Sequence, residues 1–173
     1  MQLVERHIIN RQHSFWSECD QICFLSKNLY NYANYQIRQH FFQTGEILNF
    51  YDLYKLVSQT SDYQALPTKV SKQIIRRLDK NWISYKAAIK EYYNNPQKFK
   101  GRPNLPKYKD KIKGRNIAPY PKDALSIVAL KKGLANLSKS KIAINTQQKE
   151  INEVRIIPQA CCYVIEVVYT VIN

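Results

Sequence analysis

Val70, Ile74, Leu78, Trp82, Tyr85, Ile89 and Tyr92 follow one another at steps of three or four, a spacing that puts all seven on one face of an α-helix. Pro67 suits a first helical position and Pro96 closes the segment, so the pattern predicts a helix running to Asn95. Lys69, Lys72, Gln73, Arg76 and Lys80 recur at the same steps, which gathers them on a neighbouring face. Any fold available to this chain must bury the first face and leave the second at the surface.

The charge on that second face belongs to a larger concentration. Between positions 69 and 115 stand fifteen Lys or Arg against Asp79, Glu91 and Asp110, which is +12 of the formal charge of +14. Residues 1–68 carry a net −1 and residues 116–173 a net +3. Unpaired charge of one sign repels itself, and Asp79 alone is near enough to offset the helical stripe, so the segment implies a polyanionic partner. Nucleic-acid phosphates fit, because neutralising them releases condensed counterions. A membrane surface fits less well: the basic helix is rich in Trp and Tyr and is followed by a Pro and Lys loop, a mixture suited to nucleic acid.

With 173 residues, 45% of them apolar and 12% aromatic, the chain can build a core. Residues 3–9 alternate as a strand does. Ser14 is placed to cap a helix that starts at Phe15, carries Leu25, Leu29, Ala33, Ile37 and Phe41 on one face and ends before Gly45. A short helix over residues 50–57 precedes the long one. Five of the seven prolines fall within residues 96–126, which read as a long loop. Extended runs over 126–130, 141–144, 153–157 and 162–172 follow, and read as a small antiparallel sheet or barrel that the first strand joins, with the helices inserted between. Trp16, Trp82, Tyr30, Tyr32 and Tyr35 read as helical core.

No apolar run approaches about 18 residues and the N-terminus lacks a signal core, which predicts a cytoplasmic protein. Cys19 with Cys23 and the adjacent Cys161 and Cys162 match neither a zinc ribbon nor a disulfide framework, and His7, His13 and His40 have no ligand partners at suitable spacing. No metal site and no catalytic residue is expected.

The succession NLYNYANYQIRQ, LPTKVSKQIIRRLDKNW, KGRPNLPKYKDK, EVRIIP and YVIEVVY resembles the N-terminal half of TnpB proteins, the transposon-encoded OrfB proteins of insertion sequences, which are RNA-guided DNA endonucleases. The resemblance covers essentially the whole chain. It implies an α+β architecture: a small antiparallel wedge barrel of oligonucleotide-binding type with an inserted helical recognition bundle. The wedge would comprise residues 1–10 and 98–173, and the recognition domain residues 11–97. It further implies that the RuvC-like nuclease and zinc ribbon, which bind magnesium and zinc in relatives, lie outside this chain, so that the chain itself has no cofactor and does not cut.

The resemblance also assigns contacts. Phe50 or Tyr51, with Thr68, Lys69, Lys72 and Gln73, would touch the transposon-adjacent duplex of the target DNA. Lys72 and Gln73 have the chemistry to read guanine and adenine edges, while Arg76 and Lys80 hold backbone. Tyr120, Pro121 and Lys122 stand where relatives have a polar pair touching that duplex, with proline in place of a hydrogen-bonding side chain. Lys98, Lys100, Arg102, Lys107, Tyr108, Lys109, Lys111, Lys113 and Arg115 form a basic and aromatic run suited to guide RNA. Self-association at the C-terminal strands, or docking of the nuclease domain there, is a further expectation. The alternative is a stand-alone, nuclease-less regulator or accessory protein of the same descent. A transposase acting through a nucleophilic tyrosine is disfavoured, because its His-x-His signature is absent.

Overall fold

The computed structural model describes residues 1–172. The chain begins with strand β1, Gln2–Ile9, and continues into the 29-residue helix α1, Trp16–Thr44. Gly45, at φ 74°, ends α1 in the left-handed region and its N–H donates to the Phe41 carbonyl, the ordinary glycine stop. At the other end Ser14 caps nothing; the Phe15 N–H instead donates to His13 Nδ1 at 3.0 Å. Asn49 caps helix α2, Phe50–Val57, and Thr60 caps the single turn α3, Ser61–Gln64. The long helix α4 spans Thr68–Asn94.

Strand β2, Ala118–Pro121, is followed by helix α5, Ile127–Lys131, strands β3, Leu134–Asn136, and β4, Ala143–Asn145, and the long hairpin of β5, Ile151–Pro158, and β6, Tyr163–Thr170. Residues 126–130 are therefore not a strand. Ser126 accepts the Ala129 N–H at 3.2 Å and starts a helix, a capping preference that overrides the β-rich composition of the run. Strand β2 lies where a loop is expected, and short 3-10 turns cover Pro96–Lys98 and Lys122–Ala124.

The expected barrel is not formed. The main sheet is open, in the order β1-β6-β5-β2, and all its neighbours are antiparallel; β3 and β4 make a separate two-stranded sheet. Proline at both 119 and 121 explains one edge. A residue without an N–H fits only where the backbone faces away from the ladder, so β2 can pair with β5 on one side and with nothing on the other. Closure would require β1 to meet that edge.

Both long helices pack on the sheet. Val70, Ile74, Leu78 and Trp82 of α4, with Cys19, Cys23, Leu29 and Ile37 of α1, share a core with Tyr120, Val154, Ile156, Ile165 and Val167. Trp82 and Tyr30 are buried as the periodicity requires, while Trp16 and Tyr32 are half-buried and Tyr35 is exposed.

Candidate nucleic-acid interface

The proline-rich segment is ordered by α1. Helix α1 carries a polar stripe, Asp20, Lys27, Asn31, Asn34 and Arg38, beside its apolar face. Residues 106–115 run down this stripe in the opposite direction. Arg38 donates to the Pro106 carbonyl from both Nε and a terminal nitrogen (3.2 and 2.9 Å), and Asn34 donates to the same oxygen at 3.0 Å. Asn31 grips Lys109 twice, donating to its carbonyl and accepting its N–H, both at 2.9 Å. The buried Lys27 ammonium donates to the Lys111 carbonyl, and Arg115 closes on Asp20 at 2.9 Å. The match is geometric. Two extended residues advance about 6.6 Å and four helical residues about 6 Å, so alternate strap carbonyls meet side chains one turn apart on α1.

A turn ends this strap. The Asp110 carboxylate accepts the N–H groups of Ile112 and Lys113 at 3.0 and 2.6 Å, and these bonds, Lys113 first, hold its pKa below the ordinary value. Gly114 sits so close under the turn that a Cβ there would lie 2.3 Å from the Asp110 carbonyl oxygen. The chain then reverses, with the Asn116 N–H on the Cys23 carbonyl and Ser26 Oγ on the Ile117 carbonyl, and enters β2.

With its backbone bound to α1, the strap leaves Lys107, Tyr108, Lys109, Lys111 and Lys113 exposed. Arg38 lies over the Tyr108 ring at 4.7 Å, and Lys109 over Tyr30 at 5.4 Å. Between the strap and α4 runs an open groove of about 480 Å³ whose helical wall is Asn81, Ser84 and Ala88. Upstream, Lys100 and Arg102 are exposed, Arg102 reaching the Tyr93 ring, while Lys98 pairs with Glu91 at 3.0 Å. Arg115 is different from the lysines: its guanidinium also donates to the carbonyls of Ile112 and Gly114. It is a fastening of the strap first.

A second surface joins α2 to the start of α4. Phe50 and Tyr54 stack 6.3 Å apart, Arg76 lies 4.2 Å over Phe50, and Lys72 lies 5.9 Å over Tyr54. Tyr51 projects outward, 75% exposed. The fold thus unites the aromatic and basic residues expected to touch duplex, separated by some twenty positions in sequence. Thr68 and Lys80 are exposed on the same helix. Gln73 is half-buried beside a cleft whose other walls include Pro121, Asn152 and Arg155, so α4 and the loop after β2 do meet. Lys69 reaches Asp123 at 3.1 Å, next to the exposed Lys122. Of the fifteen cations between 69 and 115, eleven have no carboxylate partner among the described residues.

Tyr120 is a correction. It is 1% exposed in the shared core, where burial raises its pKa, and its ring cannot reach a base. Its neighbours in β2 alternate faces, which leaves Lys122 as the exposed member of that trio. The cysteines of α1 are buried, the Cys19 thiol pushed up to about 12 by desolvation. Among the described residues no group of three or more His, Cys, Asp or Glu is placed to hold a metal ion, and no helix is long and apolar enough to cross a membrane.

The polar stripe on α1 escaped the sequence reading. Its signal was present in the spacing of Asp20, Lys27, Asn31, Asn34 and Arg38, but a stripe of polar residues looks like a solvated face until a partner backbone is known. No protein-family model matches the chain, and no curated protein matches it.

Proposed function

We propose that this chain is the nucleic-acid-recognition part of a TnpB-like RNA-guided nuclease, holding guide RNA on the strap and adjacent-motif duplex of the target DNA on the α2 and α4 surface. Cleavage chemistry belongs, in this reading, to a nuclease domain outside these residues, together with the magnesium and zinc of that family. The protein works in the cytoplasm on this reading, as a component of a transposable element.

The observation that carries the reading is the strap. Four lysines, at 107, 109, 111 and 113, stand on a backbone bonded to a helix by its own carbonyls. A loop whose only role was solubility would not require that fastening. Fixed lysines bind phosphate with less loss of side-chain and backbone freedom than mobile ones, and the neighbouring aromatic rings offer faces for unpaired bases.

Binding of single-stranded RNA, measured between 50 and 200 mM salt, tests this. Affinity should fall steeply with salt for the protein and less steeply for a variant with all four strap lysines changed to Gln. Affinity indifferent to salt would remove the electrostatic basis of the reading. Substituting Lys72 and Arg76 should instead weaken duplex DNA and leave the RNA slope in place.

A further inference from the structure

Away from both surfaces, the hairpin loop between β5 and β6, residues 159–162, faces the end of the strap and the beginning of α1. The three segments line a polar cavity of about 360 Å³. Its charged members are Arg11, Lys113 and Arg115, against the one carboxylate of Asp20. That carboxylate is fully committed: Oδ1 accepts from Arg115 Nε at 2.9 Å and from the Tyr163 hydroxyl at 2.5 Å, and Oδ2 accepts from Arg115 at 3.4 Å. Arg11 and Lys113 are exposed, and among the described residues neither side chain has a carboxylate partner. Two positive charges are therefore in excess around the cavity. Helix α1 starts at the same wall with Trp16, without a side-chain cap, and its dipole adds positive potential there.

The chemistry of the walls selects a ligand. The Trp16 ring is already occupied, by the Arg11 guanidinium 5.3 Å from its centroid and by Tyr163, packed edge-on at 5.8 Å. It offers no free face for a base. An internal phosphodiester brings one negative charge, which leaves half the excess unneutralised. A phosphate monoester brings about −1.5 to −2 near neutral pH and three acceptor oxygens, and guanidinium and ammonium donors suit these.

We propose that this cavity binds a phosphate monoester. Such a group occurs at the end of a nucleic-acid strand and on a mononucleotide. The strand-end form rests on the nucleic-acid reading given above, whereas the monoester chemistry does not. Arg11 and Lys113 supply the free donors, and Arg115, oriented by Asp20, supplies charge at the back of the site.

The test uses fluorescence anisotropy at constant salt with one oligonucleotide in three forms, bearing a 5′-phosphate, a 3′-phosphate or hydroxyls at both ends. The protein is compared with the Arg11→Gln, Lys113→Gln double variant and with Arg11→Lys. In parallel, thermal unfolding is followed with added inorganic phosphate and adenosine monophosphate. Both substituted residues are exposed, so the double variant should unfold at the wild-type temperature without ligand.

One phosphorylated form should bind about tenfold tighter than the hydroxyl form. The preference should vanish in the double variant and survive in Arg11→Lys. Stabilisation by adenosine monophosphate, absent in the double variant and without any preference among strand ends, supports the site and assigns it to nucleotides. If no strand binds while phosphate still stabilises the wild type alone, the site stands and the nucleic-acid reading fails. If strands bind with no end preference and neither phosphate compound stabilises, or if the preference persists in the double variant, the site is refuted.

Discussion

Replacing Asn34 by leucine tests whether the strap is held by the polar stripe of α1. The Asn34 side chain is completely buried and makes two hydrogen bonds, accepting from Trp82 Nε1 at 2.9 Å and donating to the Pro106 carbonyl at 3.0 Å. It therefore ties α1, α4 and the strap at one point. Leucine has a similar size, so the substitution removes polar contacts with little change in packed volume. The two abandoned partners differ. Pro106 retains both donors of Arg38, and its loss should be about 1 kcal/mol, the net value of an ordinary hydrogen bond. The indole N–H of Trp82, on a residue that is also fully buried, has no second partner and should cost a further 1–3 kcal/mol, roughly, as an unsatisfied donor. The expected destabilisation is about 2–4 kcal/mol, read as a fall in the urea midpoint at constant slope. A double-mutant cycle with Trp82→Phe isolates the indole contribution, because phenylalanine has no donor to strand. Coupling of roughly 1–2 kcal/mol should appear. Additive effects, or a single-variant loss below about 0.5 kcal/mol, would refute the claim that these bonds hold the assembly together.

Three other outcomes follow from the same geometry. Gly114→Ala forces the Asp110 turn apart, since the new Cβ has no room beneath it; trypsin should then cut after Lys111 and Lys113 well before the rest of the fold yields. Changing Lys107, Lys109, Lys111 and Lys113 to Gln should reduce the slope of log affinity against log salt by about 3 for single-stranded RNA if each lysine neutralises one phosphate, while an unchanged slope would place the RNA elsewhere. The third concerns acid. Burial works to raise the Asp20 pKa, but hydrogen bonds from Arg115 and Tyr163 and the Arg115 charge outweigh it and hold the group below its ordinary value. A lowered folded pKa means that this stability is present above the unfolded carboxyl pKa of about 3.9 and is lost as pH falls through the folded value. Asp20→Asn should therefore be less stable at neutral pH and lose less on acidification. Asp79 has the opposite sign, its pKa raised by burial against the pull of Arg76, and Asp79→Asn should relieve a cost that exists only while the carboxyl is ionised.

The helices were legible because their evidence is local. The step of three and four from Val70 to Tyr85 needs only a core on one side to be satisfied, and every residue of that run is buried. The β5 and β6 strands were legible for a similar reason, as runs of β-branched residues. Two other segments were not. Residues 126–130 have strand composition, yet one serine hydroxyl on one backbone N–H decides for a helix, at a scale composition does not resolve. The barrel failed on topology: whether β1 meets β2 depends on which strand edges remain free, and the prolines that seal β2 lay in a stretch that looked like loop. In the candidate interface, charge and aromatic content were visible at once, but the division of labour was not. Arg115 and Lys111 have the same charge, and only the fold shows that one fastens the strap to Asp20 while the other leaves its ammonium in solvent.

The strap also explains why its lysines and its backbone must be considered separately. In an isolated loop, ordering each backbone residue costs about 1–2 kcal/mol of entropy, a cost any ligand would have to offset. Here folding meets that cost in advance, with Asn31, Asn34 and Arg38 bonding three carbonyl or N–H groups of the strap before any phosphate arrives. The lysine side chains keep their rotamer freedom, so they can follow a backbone of any base sequence. Affinity without base selectivity is the natural product of that arrangement, whereas the α2 and α4 surface presents Gln73 at a cleft edge and Tyr51 in the open. Sequence discrimination, if the chain has it, must come from there, because only there do amide and aromatic groups stand on rigid helix.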